Sequence, residues 1–176
     1  MEAGGETRMN RDGDVKRQNG FSLVELLIGI AIIGILAGIS AYSWQRYVAN
    51  ANLRTAAREL VADFNYMKSN AVSNPDFTHT IAFTRAANPN SYTLNAIDAS
   101  ANNASTFPQI KTPASAGSGI TIASLPGGGT TYTLTFLARG TLSPTTGTVT
   151  LQNSRGSTAN IIYNITGKTY ATFTMQ

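Results

Sequence analysis

Lys16-Arg17-Gln18-Asn19-Gly20-Phe21-Ser22-Leu23-Val24-Glu25-Leu26 is the stretch on which the fold turns. Before it, Met1 to Asn19 is polar, of mixed charge and without apolar periodicity, the composition of a disordered tail, and Met9 is a second candidate start. After it, no Lys, Arg, Asp or Glu occurs from Leu26 to Gln45, and those 20 residues are enough to cross about 30 Å of hydrocarbon as a helix. Lys16 and Arg17 stand just before the apolar run, so the positive-inside bias keeps the short N-terminal tail cytoplasmic and exports the remainder of the chain.

A cleaved signal peptide is the competing reading, since it too has a basic start and an apolar core, and Ala37 or Ala41 could end a small-residue cleavage site. It leaves three features unexplained: a polar tail ending in Gly20, a carboxylate, Glu25, just inside the apolar segment, and helical patterning that continues past the membrane-length run. A carboxylate in hydrocarbon costs about 2.5–3.5 kcal/mol at mid-bilayer and so implies a partner, unless it snorkels to the interface.

Beyond Arg46 the pattern becomes amphipathic. Leu53, Ala57, Leu60, Phe64, Met67 and Ala71 recur at steps of four and three, with Arg54, Arg58 and Lys68 off that stripe, so this half of the helix is expected to lie against a sheet. Asn74-Pro75 stops it, because the residue before proline is pushed out of the helical region. Gly29, Gly34 and Gly38 weaken the apolar half as helix, and also permit close approach of neighbouring helices in membranes.

The run from Lys16 to Leu26, followed by this apolar helix, resembles the class III signal of type IV pilins and type II secretion pseudopilins, over about the first quarter of the chain. The resemblance implies that a prepilin peptidase cuts between Gly20 and Phe21, that Phe21 becomes the N-methylated terminus, and that Glu25 is the assembly carboxylate. The physics agrees: the cut frees an amine at Phe21, and Glu25 of a neighbouring subunit can neutralise such an amine more cheaply than an apolar medium can hold either charge alone. Many members of the family have a proline about two dozen residues after the cut; Ala41-Tyr42-Ser43-Trp44 has none.

From Phe77 onward, short alternating runs are separated by turn signals, which reads as antiparallel strands: His79–Thr84, Ser91–Ile97, Ile120–Ser124, Thr131–Leu137, Thr148–Gln152, Ala159–Ile165 and Thr169–Met175, the last two forming a hairpin across Thr166-Gly167-Lys168. Asp98 to Gly119 reads as a long loop, or one hiding a short strand near Phe107 to Lys111. Phe136-Leu137-Ala138-Arg139-Gly140, Gly147 to Leu151, and Ile161 to Lys168 are similar to the heads of H-type pseudopilins and T-type minor pilins.

The expected fold is therefore α+β and pilin-like: a leader (1–20), a transmembrane and filament-core half-helix (21–45), an amphipathic half-helix (46–74) and a β-rich head (75–176) packed on it. The expected function is that of a minor pilin or pseudopilin. Its implied partners are the prepilin peptidase, other pilin subunits met through the N-terminal helix, and an inner-membrane assembly platform. It would cross the inner membrane once before assembly, its leader cytoplasmic and its head exported.

Catalysis finds little support. His79, the single histidine, reads as a strand-edge residue with no role, and no catalytic, metal or cofactor set is legible. Gly127-Gly128-Gly129 lacks the Lys-Ser or Lys-Thr and the following helix of a phosphate loop. The sequons at Asn103 and Asn164 fit by chance as readily as by design. There are no cysteines, so no disulfide closes the head. The net charge of +4 survives removal of the leader, since four basic and four acidic residues precede Phe21. Arg139, Arg155 and Lys168 are the residues an alternative, DNA-binding minor pilin would use, with solvated scatter as the plainer account.

Overall fold

The computed structural model describes residues 21–98 and 109–176, and of residues 40–42 the backbone alone. The expected leader, Gly20 included, and Asn103 with its sequon lie outside the described residues. One helix, α1, runs over Leu23–Ser73, and the chain divides after Ser40 into two units.

The second unit holds the head. Its strands are β1 (Phe77–Thr84), β2 (Ser91–Asp98), β3 (Gln109–Lys111), β4 (Thr121–Ser124), β5 (Thr131–Phe136), β6 (Leu142–Ser143), β7 (Gly147–Gln152), β8 (Thr158–Tyr163) and β9 (Thr169–Thr174). All seven expected strands form. The additions are β3, where a hidden strand was the alternative to a loop, and the two-residue β6.

The head is two antiparallel sheets rather than one, ordered β3-β2-β1-β5-β6 and β4-β7-β8-β9. Among the described residues the chain crosses between them three times, and prolines mark each crossing, Pro113 standing between β3 and β4. Pro126 follows β4 and Pro144 follows β6, and a residue without an N–H cannot continue a ladder. In the first sheet Leu94, Ile81 and Leu134 stand opposite one another across β2, β1 and β5, all fully buried. In the second, Val149 faces Ile161 and Leu151 faces Ala159.

These apolar rows meet the predicted stripe of α1. Leu53, Ala57, Leu60, Phe64, Met67 and Ala71 are each no more than 1% exposed. Phe64 joins the layers, its ring lying 6.4 Å from Phe83, 5.9 Å edge-on from Phe136, and 5.7 Å from Tyr163 of the other sheet. At roughly 1.5–3 kcal/mol for each large side chain removed from water, this stripe is what binds helix to head.

The closing hairpin differs from expectation in its turn. β8 ends at Tyr163 because the next residues are used otherwise: Ile165 O accepts from Leu142 N at 3.0 Å, tying the turn to β6. Asn164 Oδ1 accepts from Thr166 N, Thr166 Oγ1 and Lys168 N at 3.2, 2.8 and 3.0 Å. An asparagine side chain standing in for backbone in this way is a turn former, which is a structural account of Asn164 independent of its sequon.

Candidate assembly site

In the first unit, Phe21 and Ser22 precede the helix, and Leu26 N donates to Ser22 O at 3.1 Å to begin its ladder. Glu25 is the acidic residue of the first turn, where the positive end of the helix dipole favours a carboxylate. Phe21 is 83% exposed, and so is most of every large apolar side chain from Leu23 to Ile39. Nothing among the described residues buries this apolar run. Among the described residues, a methyl added at Gly29, Gly34 or Gly38 would meet nothing within 4 Å. A segment apolar on all sides is stable only inside lipid or against other protein.

The second unit carries a polar cluster that the sequence reading missed. Lys111 Nζ on β3 lies 2.7 Å from Asp63 Oδ1 and 3.4 Å from Glu59 Oε1, one helical turn apart on α1. Tyr92 Oη on β2 donates to Asp63 Oδ2 at 2.8 Å. Asp63 and Tyr92 are both buried. Burial, then the charge and hydrogen bond of Asp63, push the Tyr92 phenol far above the ordinary tyrosine range. For Lys111 burial alone would lower the ammonium, but the hydrogen bond and charge of Asp63, with Glu59 behind them, leave it raised. The cluster clamps the edge of the first sheet to the helix. Its signal was an aspartate flanking the buried stripe beside Phe64, four residues after a glutamate.

The three basic residues considered for DNA do not form one patch. Arg139 lies in the turn between β5 and β6, and Lys168 in the turn between β8 and β9. Those turns touch: a Cβ at Gly167 would sit 2.8 Å from Gly140 O, and Lys68 Nζ donates to Thr166 O at 2.8 Å beneath them. Arg155 is elsewhere, in the turn between β7 and β8, where its guanidinium donates to Gln45 Oε1 at 2.6 Å. Beside it Asn153 Nδ2 donates to Asn50 Oδ1 at 2.9 Å. Lys68 and Asn50, which receive the two ends, stand about 27 Å apart along α1 at 1.5 Å per residue.

His79 is not at a strand edge. It sits on β1, between β2 and β5, and is buried, with Nδ1 donating to Phe77 O at 3.1 Å. It is a core histidine with a satisfied ring nitrogen.

Residues 15–41 match the family described as the prokaryotic N-terminal methylation motif. A fimbrial protein of Pseudomonas aeruginosa is 46% identical over 48 residues, which are 27% of this chain and 31% of that protein. A type IV major alpha-pilin of Moraxella bovis is 47% identical over 45 residues, 26% of this chain and 28% of that one. The chain thus spans less than a third of the length of these curated relatives. Among solved structures, the type IV minor pilin FimU of Pseudomonas aeruginosa superposes with a TM-score of 0.48 at 19% identity, over 74% of this chain and 92% of that one. The N-terminal methylation motif of type IV pilins is therefore present, on a chain whose own fold is a long helix against antiparallel sheets.

Proposed function

We propose that this chain is a minor pilin or pseudopilin, cut by a prepilin peptidase between Gly20 and Phe21, methylated at Phe21, and built into a type IV pilus or a type II secretion pseudopilus through its N-terminal helix. It waits for assembly as a single span of the inner membrane, head outward, and is passed to the filament by an assembly platform. The observation that carries this reading is the uncovered apolar helix with one carboxylate in its first turn, inside the matched motif.

In this reading Glu25 is a docking residue. Extraction of a subunit from lipid into a filament core exchanges one apolar surrounding for another, which the apolar side chains barely register. Glu25 registers it strongly, because the amine of Phe21 on a neighbour neutralises it there. Its work is positioning, and no step of covalent chemistry is asked of the head.

The test is Glu25→Ala in the native host, followed by leader cleavage and by the amount of subunit in sheared filaments. Cleavage should continue and incorporation should fall at least tenfold. Normal entry of Glu25→Ala into filaments would remove the docking role.

A further inference from the structure

Arg46, Arg54 and Arg58 are exposed along α1, and Arg54 and Arg58, one turn apart, stand clear of the sheets, whereas Asn50 before them is half-buried and accepts from Asn153. Tyr47, Asn50, Ala51, Arg54, Thr55 and Arg58, with Met175 after β9, line a shallow groove of about 340 Å³ there. Among the described residues none of the three arginines has an ion-pair partner. The helix offers none: positions three and four residues from each arginine hold Tyr, Ser, Thr, Ala, Asn, Val or a second arginine. Arg54 and Arg58, one turn apart, repel each other. A row of like charge on an otherwise well-satisfied head is a surface waiting for an anion.

Three sources of that anion can be weighed. Lipid phosphate suits Arg46, the first charge after the apolar stretch. However, the headgroup layer is only about 5–8 Å deep per leaflet. Arg54 and Arg58 lie about 12 and 18 Å further along the helix. A second copy of this chain suits poorly. Nine basic and five acidic residues remain after Gly20, so identical copies accumulate charge. Of the five carboxylates, Glu59 and Asp63 already hold Lys111, and Glu25 belongs to the apolar helix. A nucleic acid would find only three cations, two of them in a groove that also presents Tyr47 and Met175. The remaining source is a different protein that packs along the same helix, and the helix is the element whose apolar half already requires neighbours.

We propose that this arginine row seats an acidic face of a different subunit of the same filament, one that presents two carboxylates about 5–6 Å apart, the spacing of one helical turn, to Arg54 and Arg58. The inference rests on the filament reading above. It makes this chain an obligate hetero-assembler: charge excludes neighbours of its own kind along this face and selects an acidic one.

The experiment is charge reversal in the full chain, Arg54→Glu with Arg58→Glu, in the native host, beside Arg54→Gln with Arg58→Gln and a photo-crosslinker placed at Thr55. The reversed protein should be cleaved and reach the membrane at parental levels, yet fall at least tenfold in sheared filaments, with the glutamine pair intermediate. The crosslinked peptide should come from another subunit and carry two carboxylates one helical turn apart. Reversing that pair to lysine should restore entry of the reversed chain. Parental incorporation of the reversed chain overturns the proposal, as does a crosslink to a second copy or to DNA. Absence of the parent itself from filaments removes the filament reading and this inference with it, whereas a parent present and a reversed chain equally present removes the inference alone.

Discussion

Lys111 Nζ lies 2.7 Å from Asp63 Oδ1, so a three-residue edge strand is held to the helix by a charge pair at the margin of the core. The two ends of the pair are unequal. The Asp63 side chain is 9% exposed and also accepts from Tyr92, whereas Lys111 is 21% exposed and reaches in from the edge. Asp63→Ala should therefore cost more than Lys111→Ala: about 2–3 kcal/mol for losing a charged acceptor and stranding a buried phenol, against about 1 kcal/mol for a partly solvated lysine. Urea titration of the detergent-solubilised protein followed by circular dichroism measures both. Equal losses would show that the pair, and not the buried acceptor, dominates.

The same cluster predicts the alkaline behaviour. Tyr92 keeps its proton in the folded state far above the point at which an unfolded tyrosine, with a pKa of about 10, releases it. Above that pH the unfolded chain binds fewer protons than the folded one, so stability falls as pH rises. Lys111, also raised, acts in the same direction: its contribution is complete below about pH 10.4 and is lost above. Tyr92→Phe should lower stability by about 1–2 kcal/mol at neutral pH and flatten the decline beyond pH 10. A decline as steep in Tyr92→Phe as in the parent would clear Tyr92 of the effect.

The Phe64 ring on α1 meets rings of both sheets, Phe83 and Phe136 on one and Tyr163 on the other. Phe64→Ala opens a cavity shared by both and should cost about 3–5 kcal/mol. Phe64→Leu, which fills most of the volume, should cost roughly half as much. Thermal unfolding should show one lowered transition, since neither sheet keeps an intact core.

What was legible in the sequence follows from the range of the signals. The stripe from Leu53 to Ala71 and the alternation of β5, β7 and β8 are local patterns, and the structure buries the residues they nominate. The partition into two sheets was not legible, because strand pairing is a long-range choice that the alternation of one strand does not encode. Asp63 escaped for the same reason. Its partners Tyr92 and Lys111 are far away in the chain, and nothing beside it distinguishes a clamped carboxylate from a solvated one. At the N-terminus the position was reversed. The motif and the apolar run are contiguous, so Phe21 and Glu25 stood out from text alone, and both are exposed among the described residues.

Gly167 and Gly156 separate two meanings of a glycine in a turn. Both have left-handed φ, +73° and +84°, where a side chain is strained. At Gly156 an added Cβ would find nothing nearer than 3.6 Å, so Gly156→Ala should show the conformational cost alone, about 1 kcal/mol. At Gly167 the same methyl would stand 2.8 Å from Gly140 O, a backbone atom of the neighbouring turn. Gly167→Ala should therefore cost about 2–3 kcal/mol and loosen both turns. Hydrogen exchange at Leu142 N, bonded to Ile165 O, reports that loosening directly, and unchanged exchange there would mean that the two turns are independent.

The amine of Phe21 is open to the same kind of test as Glu25. If Glu25 docks on the freed N-terminus of a neighbour, removing the amine should act like removing the carboxylate, although nothing in the apolar helix has been altered. Gly20→Arg blocks the cut and leaves Phe21 as an ordinary amide within a longer chain. The uncleaved protein keeps Glu25 and the whole apolar span, so it should accumulate in the membrane at parental levels. It should nevertheless be at least tenfold depleted from sheared filaments, as Glu25→Ala is. A chain carrying both changes should be no worse than either alone, because each removes the same pair. Depletion that multiplies in the double variant would show that Gly20 and Glu25 act on separate steps, and the pairing of amine with carboxylate would have to be given up.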